Sequence, residues 1–379
     1  MGGAKREMGI PQLLQFNTLL ILGALFIGII SSQALSSNFG KNSFAITIFI
    51  LLLSLGLLVF SADFFIEGAK GLARRGGIPE VVIGLTIVSI GTSLPEILVT
   101  STAAMDSSGD PGIADFAIGG ILGSILVQIT LILGIVALSR GLEIRPSWLK
   151  RDGQVMMLSL LLLALFLLTD YGLSRLEGIF LSFSYFFYIS WLLYNRKTIE
   201  QQESDGEVTE LKGLSWTGAA YFVMVIIGLS LAVFAASYLV EYACDIAIRL
   251  NVPHSIIGTT VSGLGTSLPE LTIALMAAKR SQGVAIGTLI GSNITDPLLS
   301  IGSAAVISPL YISAEGVDMI IYLILPSAII STLIALLMMR TSYKFKRWEG
   351  ISLISVYFIF LAICEYFRRY GFFKYTMKS

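Results

Sequence analysis

The sequence predicts an all-α integral membrane protein with two inverted five-helix repeats, which supply ten core transmembrane helices, and an extra N-terminal helix. Three observations support this fold class. The mean hydropathy is +0.83, 55% of the residues are apolar and 13% are charged, whereas about 25% of the residues in a soluble domain are charged. Apolar runs long enough to cross a bilayer follow one another along the chain. The stretch GTSLPE occurs at Gly91–Glu96 and again at Gly265–Glu270, each time inside such a run.

The individual helices are predicted from runs of about 20 mostly apolar residues, the length that crosses the hydrocarbon core. Lys5 and Arg6 precede the first run, which is therefore either a retained helix or a signal peptide, and we favour the retained helix. The predicted segments are 13–35, 44–72, 79–105, 114–139, 152–170, 174–195, 214–247, 253–278, 283–310, 316–339 and 349–367.

A long polar stretch near the middle of the chain separates two halves. Residues 195–213 show no apolar periodicity, which is typical of a linker. The predicted organisation is an N-terminal segment with the extra helix or signal peptide (1–43), a first inverted repeat (44–196), a cytoplasmic linker (197–213), a second inverted repeat (214–368) and a short tail (369–379).

The two halves match beyond the GTSLPE stretch. Phe60–Pro79 aligns with Phe234–Pro253, and Ala117–Gln128 aligns with Ala285–Asp296. Each half has an odd number of helices, so corresponding loops lie on opposite sides of the membrane. With the N-terminus in the cytoplasm, most of the 25 basic residues fall on the cytoplasmic side. Secondary transporters use inverted repeats of this kind to form a binding site at the bilayer midplane.

Glu96 and Glu270 are candidate functional residues because each lies deep in an apolar run. An ionised side chain at the bilayer centre costs at least about 3 kcal/mol unless it is paired or hydrated. A protonated glutamate that bridges two helices is the purely structural alternative, but an identical pair in an inverted repeat favours a functional site. Pro95 and Pro269 cannot donate a backbone hydrogen bond, so they leave carbonyl oxygens that a cation can bind.

The following helix of each half adds a second set of polar side chains. Ser124 and Gln128 are four residues apart, as are Ser292 and Asp296, so each pair shares one helix face. For either serine alone, a hydroxyl bonded to its own helix is equally consistent with the sequence. For Asp296 the functional interpretation is stronger.

The candidate ligands are all oxygen atoms, which hard cations such as Ca²⁺ and Na⁺ prefer; softer metals bind Cys or His. The chain has 25 basic and 25 acidic residues, so it lacks the net positive charge that is typical of nucleic-acid-binding proteins. The chain also lacks a zinc motif such as HExxH and a glycine-rich phosphate loop. We therefore expect a transporter rather than an enzyme or a channel, with the lipid bilayer and the transported ions as its partners.

The two GTSLPE stretches and the continuation GSNITD at Gly291–Asp296 resemble the signatures of the cation/Ca²⁺ antiporter superfamily, in particular the prokaryotic sodium/calcium exchangers. The resemblance covers residues 44–366. It implies a multi-pass cell-membrane antiporter that exchanges Ca²⁺ for Na⁺ and binds no cofactor besides the transported ions. It also implies that helices two and seven unwind around the signatures. The ion ligands that it implies are the side chains of Glu96, Glu270, Thr92, Ser93, Thr266, Ser267, Ser124 and Ser292 and the carbonyls of Ser89 and Gly263, flanked by Asp296 and Gln128.

The first half departs from the family pattern. Sodium/calcium exchangers usually carry GSNxxN where this chain has GSILVQ, at Gly123–Gln128. That stretch looks more like the corresponding segment of proton/calcium exchangers. The coupling ion is therefore either Na⁺ or H⁺ at this point, and Gln128 is either a ligand or a neighbour of the site.

Overall fold

The computed structural model describes residues 8–39, 44–76, 79–106, 111–203, 216–249, 263–279 and 281–370. Nearly all of them are helical. In the first half the α-helices are α1 Ile10–Leu13, α2 Asn17–Phe39, α3 Phe44–Gly76, α4 Glu80–Ile83, α5 Ser89–Thr92, α6 Leu94–Asp106, α7 Pro111–Val127, α8 Leu133–Arg140, α9 Pro146–Trp148, α10 Gln154–Asp170, α11 Arg175–Tyr194 and α12 Arg196–Glu203. In the second half they are α13 Gly218–Arg249, α14 Gly263–Thr266, α15 Leu268–Ala278, α16 Gln282–Thr295, α17 Ile301–Ile307, α18 Ala314–Met319, α19 Leu325–Ser342 and α20 Arg347–Tyr370.

The described residues form nine helices that are long and apolar enough to cross a membrane. The pair Val81–Thr92 and Leu94–Met105, which is bent by 42° at its break, makes a tenth if it is counted as one span. The prediction of an all-α, multi-pass membrane protein is confirmed. The predicted segment 253–278 begins outside the described residues.

Several of the spans contain one turn of π-helix. Two of these turns start at aligned positions of the repeats, one at Gln128 and the other at Asp296. A π-turn widens the helix locally and often marks a functional position. The π-helical segments are π1 Gly84–Val88, π2 Gln128–Ile132, π3 Leu149–Gly153, π4 Asp296–Ser300 and π5 Ile320–Ile324.

Both GTSLPE stretches interrupt a helix, as the resemblance implies. The interruption is one residue long: Ser93 separates α5 from α6, and Ser267 separates α14 from α15. Pro95 and Pro269 occupy the second position of the helix that follows, in the first turn, where proline is tolerated. Each helix is therefore unwound at a single residue and not over an extended loop.

The chain divides into two compact units, and each of them combines parts of both repeats. The first unit is Met1–Thr92, Ile189–Ile257 and Leu268–Thr288, and the second is Ser93–Tyr188, Gly258–Ser267 and Leu289–Ser379. The chain passes between the units within each GTSLPE stretch, at Thr92–Ser93 and at Ser267–Leu268.

In the first unit, α3 and α13 pack along each other and α2 packs on α3. Leu22 and Ile29 of α2 are fully buried in this core. The N-terminal helix is thus an integral part of the unit's packing. The polar stretch predicted as a linker begins with a helix, α12, and residues 204–213 lie outside the described part of the chain.

In the second unit, the connecting loops repeat one structural pattern. Both α10 and α19 end at a tyrosine in the left-handed conformation, Tyr171 and Tyr343, each with φ 50°. After Tyr171, strand β1 Gly172–Leu173 pairs with strand β2 Leu310–Tyr311. After Tyr343, the chain forms an isolated bridge between Glu143 and Lys344. Each connection joins a loop of one repeat to a loop of the other.

Candidate cation site

Ser124 lies at the centre of a buried polar cluster in the second unit. Its hydroxyl is 3.3 Å from Oε1 of Glu96 and 3.4 Å from Oδ2 of Asp296, and it can donate to either carboxylate. It also lies 2.8 Å from the hydroxyl of Ser267. The first GTSLPE copy supplies Glu96 and the second supplies Ser267. Residues from both copies therefore meet at one serine of the first repeat.

Gln128 joins Asp296 directly to this cluster. Its amide nitrogen donates to Ser124 Oγ and to Asp296 Oδ2, both at 3.0 Å. Gln128 and Asp296 have no exposed surface. Each is the first residue of a π-turn, and π-turns re-aim side chains that a regular helix would place elsewhere. The aligned positions are thus direct partners across the repeats.

The described hydrogen-bond donors to Asp296 are neutral. Ser300 Oγ donates to Oδ1 at 3.2 Å, and Gln128 and Ser124 donate to Oδ2. Ser93, also fully buried, lies against the same carboxylate. Neutral donors stabilise a carboxylate only partly after its removal from water. The arrangement therefore suits a group whose charge a bound cation or a proton balances.

The two signature threonines make the same contact in each half. Thr92 Oγ1 donates to the carbonyl of Ser89 at 3.3 Å, and Thr266 Oγ1 donates to the carbonyl of Gly263 at 3.5 Å. These are the carbonyls that the resemblance implies as ligands. A carbonyl oxygen has two lone pairs, so each can accept this bond and still bind a cation.

A small cavity of about 10 Å³ lies beside Glu96, lined also by Thr100, Gly120 and Thr266. This volume is close to what one water molecule requires. Glu96 is 3% exposed, so its carboxylate is almost completely enclosed by protein. The rest of the lining is apolar and is formed by Val99, Phe116, Ala117 and Ile121. The cavity thus leaves room for one water-sized ligand beside Glu96.

The structure assigns the predicted site residues to both units. Glu270 is fully buried in the first turn of α15 and belongs to the first unit. Ser89 and Thr92 of α5 belong to the same unit, in which α5 packs against α15. Ser292 is fully buried on α16 and belongs to the second unit. The predicted residues of the second unit are Ser93, Glu96, Ser124, Gln128, Gly263, Thr266, Ser267, Ser292 and Asp296.

Sequence reasoning missed two residues of the cluster. Thr100 Oγ1 lies 2.6 Å from the carbonyl oxygen of Glu96 and 3.3 Å from that of Ser300, and it can donate to either. The Ser300 hydroxyl donates to Asp296. Thr100 follows Glu96 by four residues, and Ser300 follows Asp296 by four. The helix-face spacing that selected Ser124 and Gln128 would also have found them.

The described residues contain no group of three or more His, Cys, Asp or Glu side chains that could hold a metal ion by themselves. The second unit instead combines two carboxylates with hydroxyl, amide and carbonyl oxygens. This mixture favours a labile cation that is bound and released over a permanently held transition metal.

The sodium/calcium exchanger protein family matches residues 46–194 and 220–364, which cover both repeats. The chain belongs to this family. It is 31% identical over 351 residues to the sodium/calcium exchanger MaX1 of Methanosarcina acetivorans, covering 84% of this chain and 98% of that protein. It is 33% identical over 323 residues to the inner membrane protein YrbG of Escherichia coli, covering 83% and 95%.

Solved structures of the sodium-calcium exchanger NCX_Mj are similar in fold. One of them, soaked with Na⁺ and Sr²⁺, superposes with a TM-score of 0.68 at 29% identity and covers 84% of this chain and 99% of that one. Family membership and fold together support a cation/Ca²⁺ exchanger rather than an enzyme. The resemblance seen in the sequence is confirmed. The matched ranges begin after α2, so this helix lies outside them.

Proposed function

We propose that this exchanger couples Ca²⁺ transport to Na⁺ by alternating access around a central site that contains Glu96 and Glu270. The observation that carries the proposal is the oxygen cluster around Ser124, where residues of both GTSLPE copies meet. The named relatives support Na⁺ as the counter-ion, since MaX1 and NCX_Mj are both sodium/calcium exchangers. We expect Ca²⁺ and Na⁺ as transported ions and no resident cofactor.

The proposed coupling follows from charge. Two ionised glutamates in one site carry two negative charges, which one Ca²⁺ or two or more Na⁺ can neutralise. An empty and doubly charged site is costly inside the hydrocarbon layer. The unloaded protein therefore resists the switch between its two open states, and exchange becomes obligatory.

The division of the chain supports alternating access. Two of the five positions at which the chain passes between the units fall within the GTSLPE stretches, at the residues where the helices are interrupted. A ligand stretch that also carries the boundary between compact units can change shape when an ion binds. Hinges are commonly a few element-terminal residues of this kind.

A second candidate function is Ca²⁺/H⁺ exchange in the same fold. Asp296 favours this candidate, because it is fully buried and its described donors are neutral, so it can carry a proton. The GSILVQ stretch is also unlike the usual sodium-exchanger sequence. Imposing Na⁺, K⁺ and pH gradients separately distinguishes the two candidates.

The first testable prediction concerns the glutamates. Purified protein in proteoliposomes should take up ⁴⁵Ca²⁺ when an outward Na⁺ gradient is imposed. Glu96→Gln and Glu270→Gln should each abolish this uptake, because each removes one of the two charges that a Ca²⁺ ion neutralises. Uptake that requires only a pH gradient would favour the proton-coupled candidate.

A matched control is Glu143→Gln. Glu143 is 67% exposed and pairs with Lys344 at 2.6 Å. Exposed pairs contribute about 0–1 kcal/mol to stability, so this variant should transport like the wild type. Strong Na⁺-driven uptake by either buried variant, Glu96→Gln or Glu270→Gln, would refute the two-glutamate site.

A further inference from the structure

A groove lies between α10 and α19 in the second unit, away from the polar cluster. Its volume is about 520 Å³, within the range of sites that bind small molecules. The floor is formed where Gly153 and Leu336 approach, since a Cβ added to Gly153 would lie 3.0 Å from a Leu336 methyl group. The lining residues are Pro146, Leu149, Lys150, Gly153, Gln154, Met157, Leu333, Leu336, Leu337, Arg340 and Tyr343.

The groove is apolar along the helices and basic at one end. Leu333 and Leu337 are 50% and 54% exposed, so they offer methyl groups to whatever occupies the groove. Lys150 stands near the start of the span Pro146–Asp170, and Arg340 stands near the end of the span Gly316–Thr341. Each cation thus lies close to the end of its span, and we expect it at the depth where the hydrocarbon ends and the lipid headgroups begin.

The acidic groups near this end of the helices already have partners. Asp152 accepts from Arg151 Nε at 2.6 Å and from the Tyr188 hydroxyl at 2.9 Å. Glu143 pairs with Lys344 at 2.6 Å. Among the described residues, the side chains of Lys150 and Arg340 form neither an ion pair nor a hydrogen bond. The mouth of the groove thus has two positive charges that no described side chain neutralises.

We propose that this groove binds one anionic phospholipid, with the phosphate between Lys150 and Arg340 and an acyl chain along the leucines. Basic pockets between transmembrane helices recognise anionic headgroups, and each Lys or Arg near the surface contributes about 1 kcal/mol. Arg can bind phosphate oxygens in a bidentate way, while Lys acts as a point charge. Charge complementarity selects the headgroup, and the apolar wall selects a lipid over a free anion.

The test measures lipid binding by native mass spectrometry of the delipidated protein in detergent. The probes are dioleoylphosphatidylglycerol and dioleoylphosphatidylcholine, which share their acyl chains and differ in charge. Wild-type protein should retain one phosphatidylglycerol more tightly than it retains phosphatidylcholine. The double variant that carries both Lys150→Gln and Arg340→Gln should bind phosphatidylglycerol about 25-fold more weakly, because the loss of each charge weakens binding about fivefold.

Two control variants distinguish a lipid site in the groove from nonspecific attraction of anionic lipid to basic residues. Lys197 is an exposed basic residue of α12 that does not line the groove, and Lys197→Gln should leave phosphatidylglycerol binding unchanged. Leu337→Trp keeps both charges but fills the groove, and it should also weaken phosphatidylglycerol binding. Thermal unfolding and ⁴⁵Ca²⁺ uptake verify that each variant is folded.

Three outcomes would overturn the proposal. The first is equal binding of the two lipids by the wild type. The second is unchanged phosphatidylglycerol binding in the folded double variant. The third is displacement of phosphatidylglycerol by inorganic phosphate at concentrations similar to the lipid's, which would show a free-anion site without a role for the acyl chain.

Discussion

At the residue scale, the side chains of Gln128 and Asp296 form a hydrogen bond although they differ in chemistry. The two residues occupy aligned positions in the two repeats. One is a neutral amide and the other a carboxylate, and they bond to each other at 3.0 Å. Two carboxylates at this distance would repel each other. The amide instead donates to the acid and to Ser124, so the asymmetry between the repeats makes the hydrogen bond possible.

We predict that Gln128→Leu destabilises the protein. The substitution keeps a side chain of similar size but leaves a buried oxygen of Asp296 without one of its donors, a change that costs about 1–3 kcal/mol. The unfolding free energy of Gln128→Leu, Asp296→Asn and the double variant gives the coupling between the two residues. Direct partners couple by about 0.5–3 kcal/mol.

The control for this prediction is Thr130→Val. Thr130 is also fully buried and lies two residues away, but its hydroxyl bonds to the carbonyl of Leu126 on its own helix. Replacing it by an isosteric apolar side chain should cost less than about 1 kcal/mol. A coupling energy near zero between Gln128 and Asp296 would contradict the assigned hydrogen bond.

At the element scale, the second unit contains two helix crossings that repeat each other. Gly134 of α8 faces Gly350 of α20, and Gly178 of α11 faces Gly302 of α17. A Cβ on Gly134 would lie 2.7 Å from the carbonyl oxygen of Gly350, and one on Gly178 would lie 2.8 Å from that of Gly302. Small residues let transmembrane helices approach this closely.

We predict that Gly134→Ala and Gly178→Ala each destabilise the protein, because the added methyl group forces two backbones apart. Overpacking of this kind costs about 1–3 kcal/mol. Gly23 of α2 has no atom within 4 Å of its added Cβ, so Gly23→Ala is the control and should be neutral or stabilising. Thermal unfolding in detergent measures the midpoint temperature of each of the three variants. Midpoints equal to that of the wild type for Gly134→Ala and Gly178→Ala would refute the close helix crossings.

Sequence patterns predicted the elements well where a strong rule applied. Apolar length predicted the spans, and the family resemblance implied the interruptions at the two GTSLPE stretches. The Gly134–Gly350 crossing could not be predicted, because a glycine in an apolar run does not reveal which helix it faces. The π-turn at Gln128 was equally hidden, since it depends on tertiary packing rather than on local propensity.

The candidate site was predictable in its residues but not in its contacts. The repeated stretch identified Glu96 and Ser267, and four-residue spacing identified Ser124. Spacing along one helix cannot show that Ser124 meets both of them, because these contacts depend on how separate helices pack. For the same reason the partnership of Gln128 with Asp296 required the structure.

At the scale of the whole molecule, the chain passes from one compact unit to the other at both interrupted helices, among its five crossings. Each of these two crossings is followed within three residues by a proline, Pro95 or Pro269. A proline at this position cannot donate to the carbonyl four residues earlier, which belongs to Gly91 or Gly265. We infer that the two prolines keep the helices divided and therefore able to change shape during exchange.

We predict that Pro95→Ala combined with Pro269→Ala slows exchange more than it weakens Ca²⁺ binding. Each alanine restores an N–H that can bond to the glycine carbonyl and stabilise one continuous helix by about 1 kcal/mol, or about fivefold. Together they should reduce the initial rate of Na⁺-driven ⁴⁵Ca²⁺ uptake about 25-fold, while equilibrium ⁴⁵Ca²⁺ binding in detergent changes much less.

The control for this prediction is Pro146→Ala. Pro146 begins α9, where a backbone N–H would have no partner within the helix, so this variant should leave the rate of uptake unchanged. A double variant with the wild-type rate would show that the prolines do not govern the switch, and an equal loss of binding and rate would place their role in the site itself.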